Sequence, residues 1–218
     1  MKYKKKIKLA ILGGSTTGLI KKKLYEDFKS KNIFLEIYES DYNQFYFESI
    51  KPSKKLLKFK PDFIYLHTSS ENIEKFPEVN DSDDKINKLL ENNYQKFETI
   101  WKNLSKKFKC YIIQNNFENL NLISLGNLEN VATYGKINYI NKINQKFYSH
   151  ISISKNIFIN DINYLSSKIG LDKWHDDSFY FNYKYTLSHE SINILSKNIL
   201  RIVLSLIGQS KKCLVLDF

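Results

Sequence analysis

Lys8-Leu-Ala-Ile-Leu12, followed at once by Gly13-Gly14-Ser15-Thr16-Thr17-Gly18, is the stretch whose reading decides the fold. An unbroken apolar run closed by a glycine-rich turn reads as a buried strand, and Leu19, Leu24 and Phe28 then follow as one side of a helix. Working outward, Ile33 to Tyr38 reads as a second strand. Pro61-Asp-Phe-Ile-Tyr-Leu66 reads as a third, with Pro61 opening the run instead of interrupting it. A loop rich in Ser and Asp comes next. Ile86, Leu89, Leu90, Phe97, Ile100, Trp101 and Leu104 then mark one face of a helix from Asp84 to Leu104. Cys110-Tyr-Ile-Ile113 is a fourth strand, Val131 to Ser149 a helical stretch, and Ile157-Phe-Ile159 a short fifth strand ending near Asp161. A last helix from about Ser188 to Ile207 carries Ile192, Leu195, Ile199, Ile202, Val203 and Leu206, with Gly208 suited to its carboxyl cap.

Strands that alternate with helices and are apolar over their whole length predict an α/β, three-layer sandwich with a parallel sheet covered on both faces, in a flavodoxin-like strand order. Ligands in such sheets sit beyond the carboxyl ends of the strands. The segments to inspect are therefore Gly13 to Thr17, Asp41 to Gln44, His67 to Asn72 and Gln114 to Asn116, joined by the loop from Asp172 to Asp177.

A chain of 218 residues, 42% of them hydrophobic, fits one domain with a real core. No apolar run approaches the roughly 20 residues needed to cross a bilayer, so no membrane segment is expected. Cys110 and Cys213 both fall in apolar, strand-like runs, which predicts buried free thiols and a reducing cytoplasm. The net charge of +11 would suggest nucleic acid as a partner. Against that, Arg201 is the only arginine, whereas phosphate and base recognition favour the planar, bidentate guanidinium. The widely spread lysines read as solvated surface.

Ser15 carries the first chemical signal. Two glycines before it allow a sharp turn, and a helix amino terminus offers amides and a partial positive charge that stabilise an alkoxide or oxyanion. Ser15 is thus a candidate nucleophile. The same position equally suits Ser15 or Thr16 as a plain helix cap. A phosphate cradle fits poorly, because the turn lacks the glycines and lysine of the known loops. The second signal is Leu171-Asp-Lys-Trp-His-Asp-Asp177. Its Asp172 and His175 are spaced so that a carboxylate can orient an imidazole as general base towards a serine across the top of the sheet. His67, His150 and His189 have no such neighbourhood. No second histidine or cysteine is spaced to make a metal site of His175, Asp176 and Asp177, so no metal is expected.

A serine after the first strand and an Asp-x-x-His before the last helix resemble the SGNH, or GDSL, hydrolases. Gly13-Gly14-Ser15 stands where that family has Gly-Asp-Ser, and His67-Thr-Ser-Ser-Glu-Asn72 where it has Gly-x-Asn. Ser15-Thr-Thr17, Tyr42-Asn-Gln44, Lys60-Pro-Asp62, Asp161, Gly170, Trp174-His-Asp176 and Lys212-Cys-Leu-Val-Leu-Asp217 together resemble, nearly end to end, the amino-terminal region of FkbH-like proteins. In that family the region precedes a haloacid dehalogenase-type phosphatase domain.

The resemblance implies two pieces, an SGNH hydrolase-like domain over residues 1–209 and the first strand of a truncated phosphatase domain over 210–218, with Asp217 matching the first Asp of its opening motif. It further implies glyceryl or acyl transfer to, or positioning on, an acyl carrier protein, as in polyketide biosynthesis. Ser15 would be the acyl acceptor, His175 the base and Asp172 its orienter. Gly14, Thr16, Asn43, Gln44 and Ser70 would form the oxyanion and substrate contacts. No cofactor is expected in this chain, Mg serving only the absent phosphatase domain. A catalytically silent docking domain for the carrier protein and a free-standing esterase are the competing expectations.

Overall fold

The computed structural model describes residues 3–209, so the strand expected at Cys213–Leu216, Asp217 and the Cys213 thiol lie outside the described residues. The elements run β1 (Lys5–Gly13), α1 (Gly18–Lys29), β2 (Ile33–Glu39), α2 (Phe45–Ile50), α3 (Lys54–Phe59), β3 (Phe63–His67), α4 (Asp83–Lys107) and β4 (Tyr111–Asn115). Then follow α5 (Leu128–Val131), α6 (Lys136–Ser152), β5 (Ile157–Asn160), α7 (Ile162–Ile169), α8 (Leu171–Trp174), α9 (Asp177–Tyr183) and α10 (His189–Leu206). The five strands form one sheet in the order β2-β1-β3-β4-β5, every pair parallel. This is the predicted flavodoxin-like order.

Period-two alternation along the strands divides the apolar residues between two faces. Ala10, Leu12, Ile64, Leu66 and Ile112 pack under α4 and α6, where Phe97, Trp101, Phe117 and Phe147 make an aromatic cluster. Ile7, Leu9, Ile11, Phe63, Tyr65 and Ile113 face the other way, onto α1 and α10. Both faces are covered, which is why the strands are apolar throughout.

Several local expectations shift. In α1 the buried residues are Ile20, Leu24 and Phe28, while Leu19 is half-buried. The helix expected from Val131 begins at Lys136, because the buried Glu129 carboxylate turns back to accept the Lys136 amide at 2.6 Å and those of Ser124 and Leu125. The segment from Asp172 to Asp177, expected as loop, instead spans the end of α8 and the start of α9, with His175 and Asp176 between them. Gly208, just past α10, has φ +74 and returns its amide to Ser205, the left-handed turn for which glycine is suited. The Cys110 thiol is free and buried, and burial pushes its pKa up to about 12.

Candidate active site

The turn after β1 does not use Ser15 or Thr16 as a helix cap. Thr17 occupies the cap position of α1 without a side-chain cap bond, and its hydroxyl donates instead to Glu39 at 2.6 Å. Ser15 is free for another role. Its Oγ lies 3.1 Å from His67 Nε2 and 3.5 Å from Thr186 Oγ1, with the residue only 6% exposed. β1 and β3 fix this meeting, since their register sets Gly13 against His67.

His67 is the residue that the sequence reading passed over. It ends β3 on the same face as Tyr65, and its Nδ1 lies 2.9 Å from the Tyr65 hydroxyl and 3.4 Å from Asn115 Nδ2. The Asn115 amide is itself oriented, giving Nδ2 to the Thr68 carbonyl and receiving Asn160 Nδ2, whose own oxygen takes Asn198 Nδ2. A chain of buried amides thus supports the ring from below. Burial lowers the His67 pKa to about 4, so the imidazole is neutral at physiological pH. Burial likewise drives Tyr65 up, keeping its hydroxyl un-ionised.

Beside Ser15 opens a cleft of about 250 Å³ lined in part by Ser70, Glu71, His175, Asp176, Tyr180 and Thr186. Behind two of these residues, Ser70 and His175, lies a second residue missed in the sequence, Glu118, fully buried on the loop after β4. Glu118 accepts the Ser70 amide at 3.3 Å and the Ser70 hydroxyl at 3.2 Å, and His175 Nε2 stands 3.4 Å from its Oε1. Burial pushes the Glu118 carboxyl above the usual range, while His175 beside it pulls it back. The other ring nitrogen, His175 Nδ1, is held by the Thr186 carbonyl at 3.0 Å.

The remaining expected residues separate into those brought to this cleft and those left outside it. Gly14 lies against Asn72, whose Nδ2 donates to the Gly14 carbonyl, and a Cβ at Gly14 would meet that carboxamide at 2.4 Å. Thr16 ties the turn to α9, its hydroxyl donating to the Tyr183 carbonyl at 2.9 Å and its amide to that of Lys184 at 3.0 Å. Ser70 faces the cleft through Glu118. Asn43 and Gln44 are exposed at the start of α2 and do not line the cleft. Asp172 is exposed in α8 and, among the described residues, makes no hydrogen bond to His175. Ser15 and His175 reach each other only through Thr186. No cluster of three or more His, Cys, Asp or Glu able to hold a metal ion occurs among the described residues.

The sequence matches the family described as FkbH, N-terminal domain, over residues 8–204. The chain belongs to that family. Among curated proteins none matches it. Among solved structures, the amino-terminal part of the Bacteroides fragilis protein BF1531, which contains a phosphatase domain and was complexed with Mg, is 23% identical with a TM-score of 0.84. That match covers 95% of this chain and 54% of the other, so the FkbH-type domain spans about half of it. An acetylxylan esterase from Geobacillus stearothermophilus, solved as a catalytic mutant, is 12% identical with a TM-score of 0.53, covering 92% of this chain and 95% of its own. A putative GDSL-like lipase from Parabacteroides merdae is 11% identical with a TM-score of 0.53, covering 96% and 98%. These likenesses show an SGNH-like fold for the FkbH amino-terminal domain. No helix among its described residues is long and apolar enough to cross a membrane.

Proposed function

We propose that this domain transfers or positions a glyceryl or related acyl group on Ser15, in company with an acyl carrier protein and a phosphatase domain carried elsewhere in the parent protein. The observation that supports this reading is the 3.1 Å contact between Ser15 Oγ and His67 Nε2 beside an open cleft at the carboxyl end of the sheet. Neutral His67 receives the serine proton when its Nδ1–H points at the Tyr65 oxygen, because the ring then presents a lone pair to Ser15. His67 thus takes the place at Ser15 that the sequence suggested for His175. Mg would serve the phosphatase domain only, and a reducing cytoplasm suits the free Cys110. Net positive charge would steer an acidic carrier protein towards the domain. The test is covalent labelling: wild-type protein should react with a fluorophosphonate probe and turn over short acyl esters, and Ser15→Ala should lose both. A wild-type protein inert to both reagents would sink the acyl-transfer reading.

One observation favours a second reading, a silent domain that docks the carrier protein. An imidazole with a pKa near 4 is a weak general base at neutral pH, and Ser15 is 6% exposed. Carrier binding that persists in the Ser15→Ala, His67→Gln double variant, with no labelling of the wild type, selects docking.

A further inference from the structure

Glu118 and His175 have no task in the proton path from Ser15 to Tyr65, yet a carboxylate buried to this depth persists only when charge or hydrogen bonds compensate it. Two hydrogen bonds reach Glu118, from the Ser70 amide and the Ser70 hydroxyl, and His175 Nε2 stands beside it at 3.4 Å. On the ring, both nitrogens face acceptors, Nδ1 the Thr186 carbonyl and Nε2 the carboxylate. Two acceptors around one ring suit an imidazolium, which has a proton for each. Asp176, Asp177 and Glu71 line the same cleft, with neither Lys nor Arg among its lining residues, and further favour a cation there. Lys184 sits over the Tyr180 ring at 5.0 Å.

We propose that Glu118 is the positioning carboxylate of His175, a place that Asp172 does not fill, and that His175 is the acid of the site. This rests on the acyl-transfer reading of Ser15. Neutral His67 then serves as base and carboxylate-paired His175 as acid. The separation of 3.4 Å is longer than a committed charge-assisted hydrogen bond, so a small rotation of the His175 ring can redirect Nε2–H to a leaving group in the cleft that the ring lines. In the first half-reaction Ser15 Oγ bonds to the acyl carbon while its proton passes to His67 Nε2. The bond from that carbon to the leaving oxygen breaks, and the oxygen takes the His175 Nε2 proton. In the second half, the incoming hydroxyl gives its proton to His175 as its oxygen bonds to the acyl carbon, and Ser15 leaves with the proton held by His67. Atoms and charges return to their starting state.

Two measurements on the intact chain test this. Infrared difference spectra at neutral pH report the protonation of a buried carboxyl directly. An un-ionised acid band should appear in H175Q and be missing from wild type and from the H175Q/E118Q double variant. The same band in wild type, lost in E118Q, overturns the ion pair. The second measurement compares an alkyl ester with the nitrophenyl ester of the same acyl group, whose leaving group departs without an acid. E118Q and H175Q should slow the alkyl ester at least about 100-fold more than the nitrophenyl ester. Glu118→Asp, which keeps the charge, should recover part of that loss. Equal slowing of both esters, or none, assigns the pair a structural role and overturns the acid assignment. Should wild type cleave neither ester, the acyl-transfer reading and the acid role fall together, while the infrared bands still decide the ion pair.

Discussion

Ser15, Tyr65 and His67 stand on or directly after strands whose pairing is fixed residue by residue, whereas His175 and Thr186 lie in the connections that follow the short helices α8 and α9. The first group has the buried amides of Asn115 and Asn160 beneath it, backed by half-buried Asn198. The second is held by a handful of side contacts: the Thr16 bonds to Tyr183 and Lys184, the bridge between His175 and Leu187, and Trp174, buried as an anchor. A parallel sheet positions its strand ends for the whole domain at once, so geometry there costs little extra to maintain. A crossing segment has to be fastened contact by contact. The proposed base is therefore rigid by construction and the proposed acid adjustable.

The largest effect that would sharpen this contrast is on stability in acid. His67 has its pKa lowered from 6.5 to about 4 in the folded protein. Between these values the unfolded chain binds a proton that the folded chain refuses, so stability is fully present above about pH 6.5 and is lost as pH falls towards 4. The contribution is about 3 kcal/mol, and the stability difference between wild type and His67→Gln should change by that amount across the window. Urea titrations at several pH values read it. Parallel curves for the two proteins across that window would mean that His67 is not held neutral, and the strand-borne half would lose its distinction.

Next comes Tyr65→Phe, which removes the oxygen that can accept His67 Nδ1–H. The donor left facing Nδ1 is Asn115 Nδ2, at 3.4 Å. The ring then settles with its hydrogen on Nε2, pointing at Ser15, and can no longer take the serine proton. Fluorophosphonate labelling should fall about 100-fold, against a loss of about 1 kcal/mol in stability for the missing hydrogen bond. The nitrogen NMR signals of His67 would show the tautomer directly. Labelling that continues unchanged would place the base elsewhere, and His175 would be the first residue to examine.

These residues also show how far the sequence could be read. Alternation of strands and helices predicted the parallel sheet, and period two along β3 places His67 on the face of Phe63 and Tyr65, next to Gly13 in the neighbouring strand. His67 was therefore legible, as a polar residue ending an apolar strand, but a search for a carboxylate nearby in sequence passed over it. Glu118 was not legible. Nothing local links it to His175, and only the folding of β4 and α8 onto one end of the sheet brings them together. The amide ladder under His67 likewise joins residues from β4, β5 and α10, a long-range arrangement with no pattern of its own.

The smallest expected effect falls on Asp172, the residue expected to orient His175. Asp172 and His175 have a spacing that can place a carboxylate on an imidazole, yet the turn of α8 sends Asp172 to solvent, and the Thr186 carbonyl occupies Nδ1. Asp172→Asn should change stability by no more than about 0.5 kcal/mol, as for other exposed positions without partners, and leave Ser15 labelling within about twofold. If it instead cuts labelling as deeply as Tyr65→Phe, the segment from 171 to 187 must rearrange when substrate binds, bringing Asp172 onto the ring in place of Thr186. The loop-borne half would then be the part of the site that is assembled by its substrate, and the comparison between the halves would become one between a standing and an induced geometry.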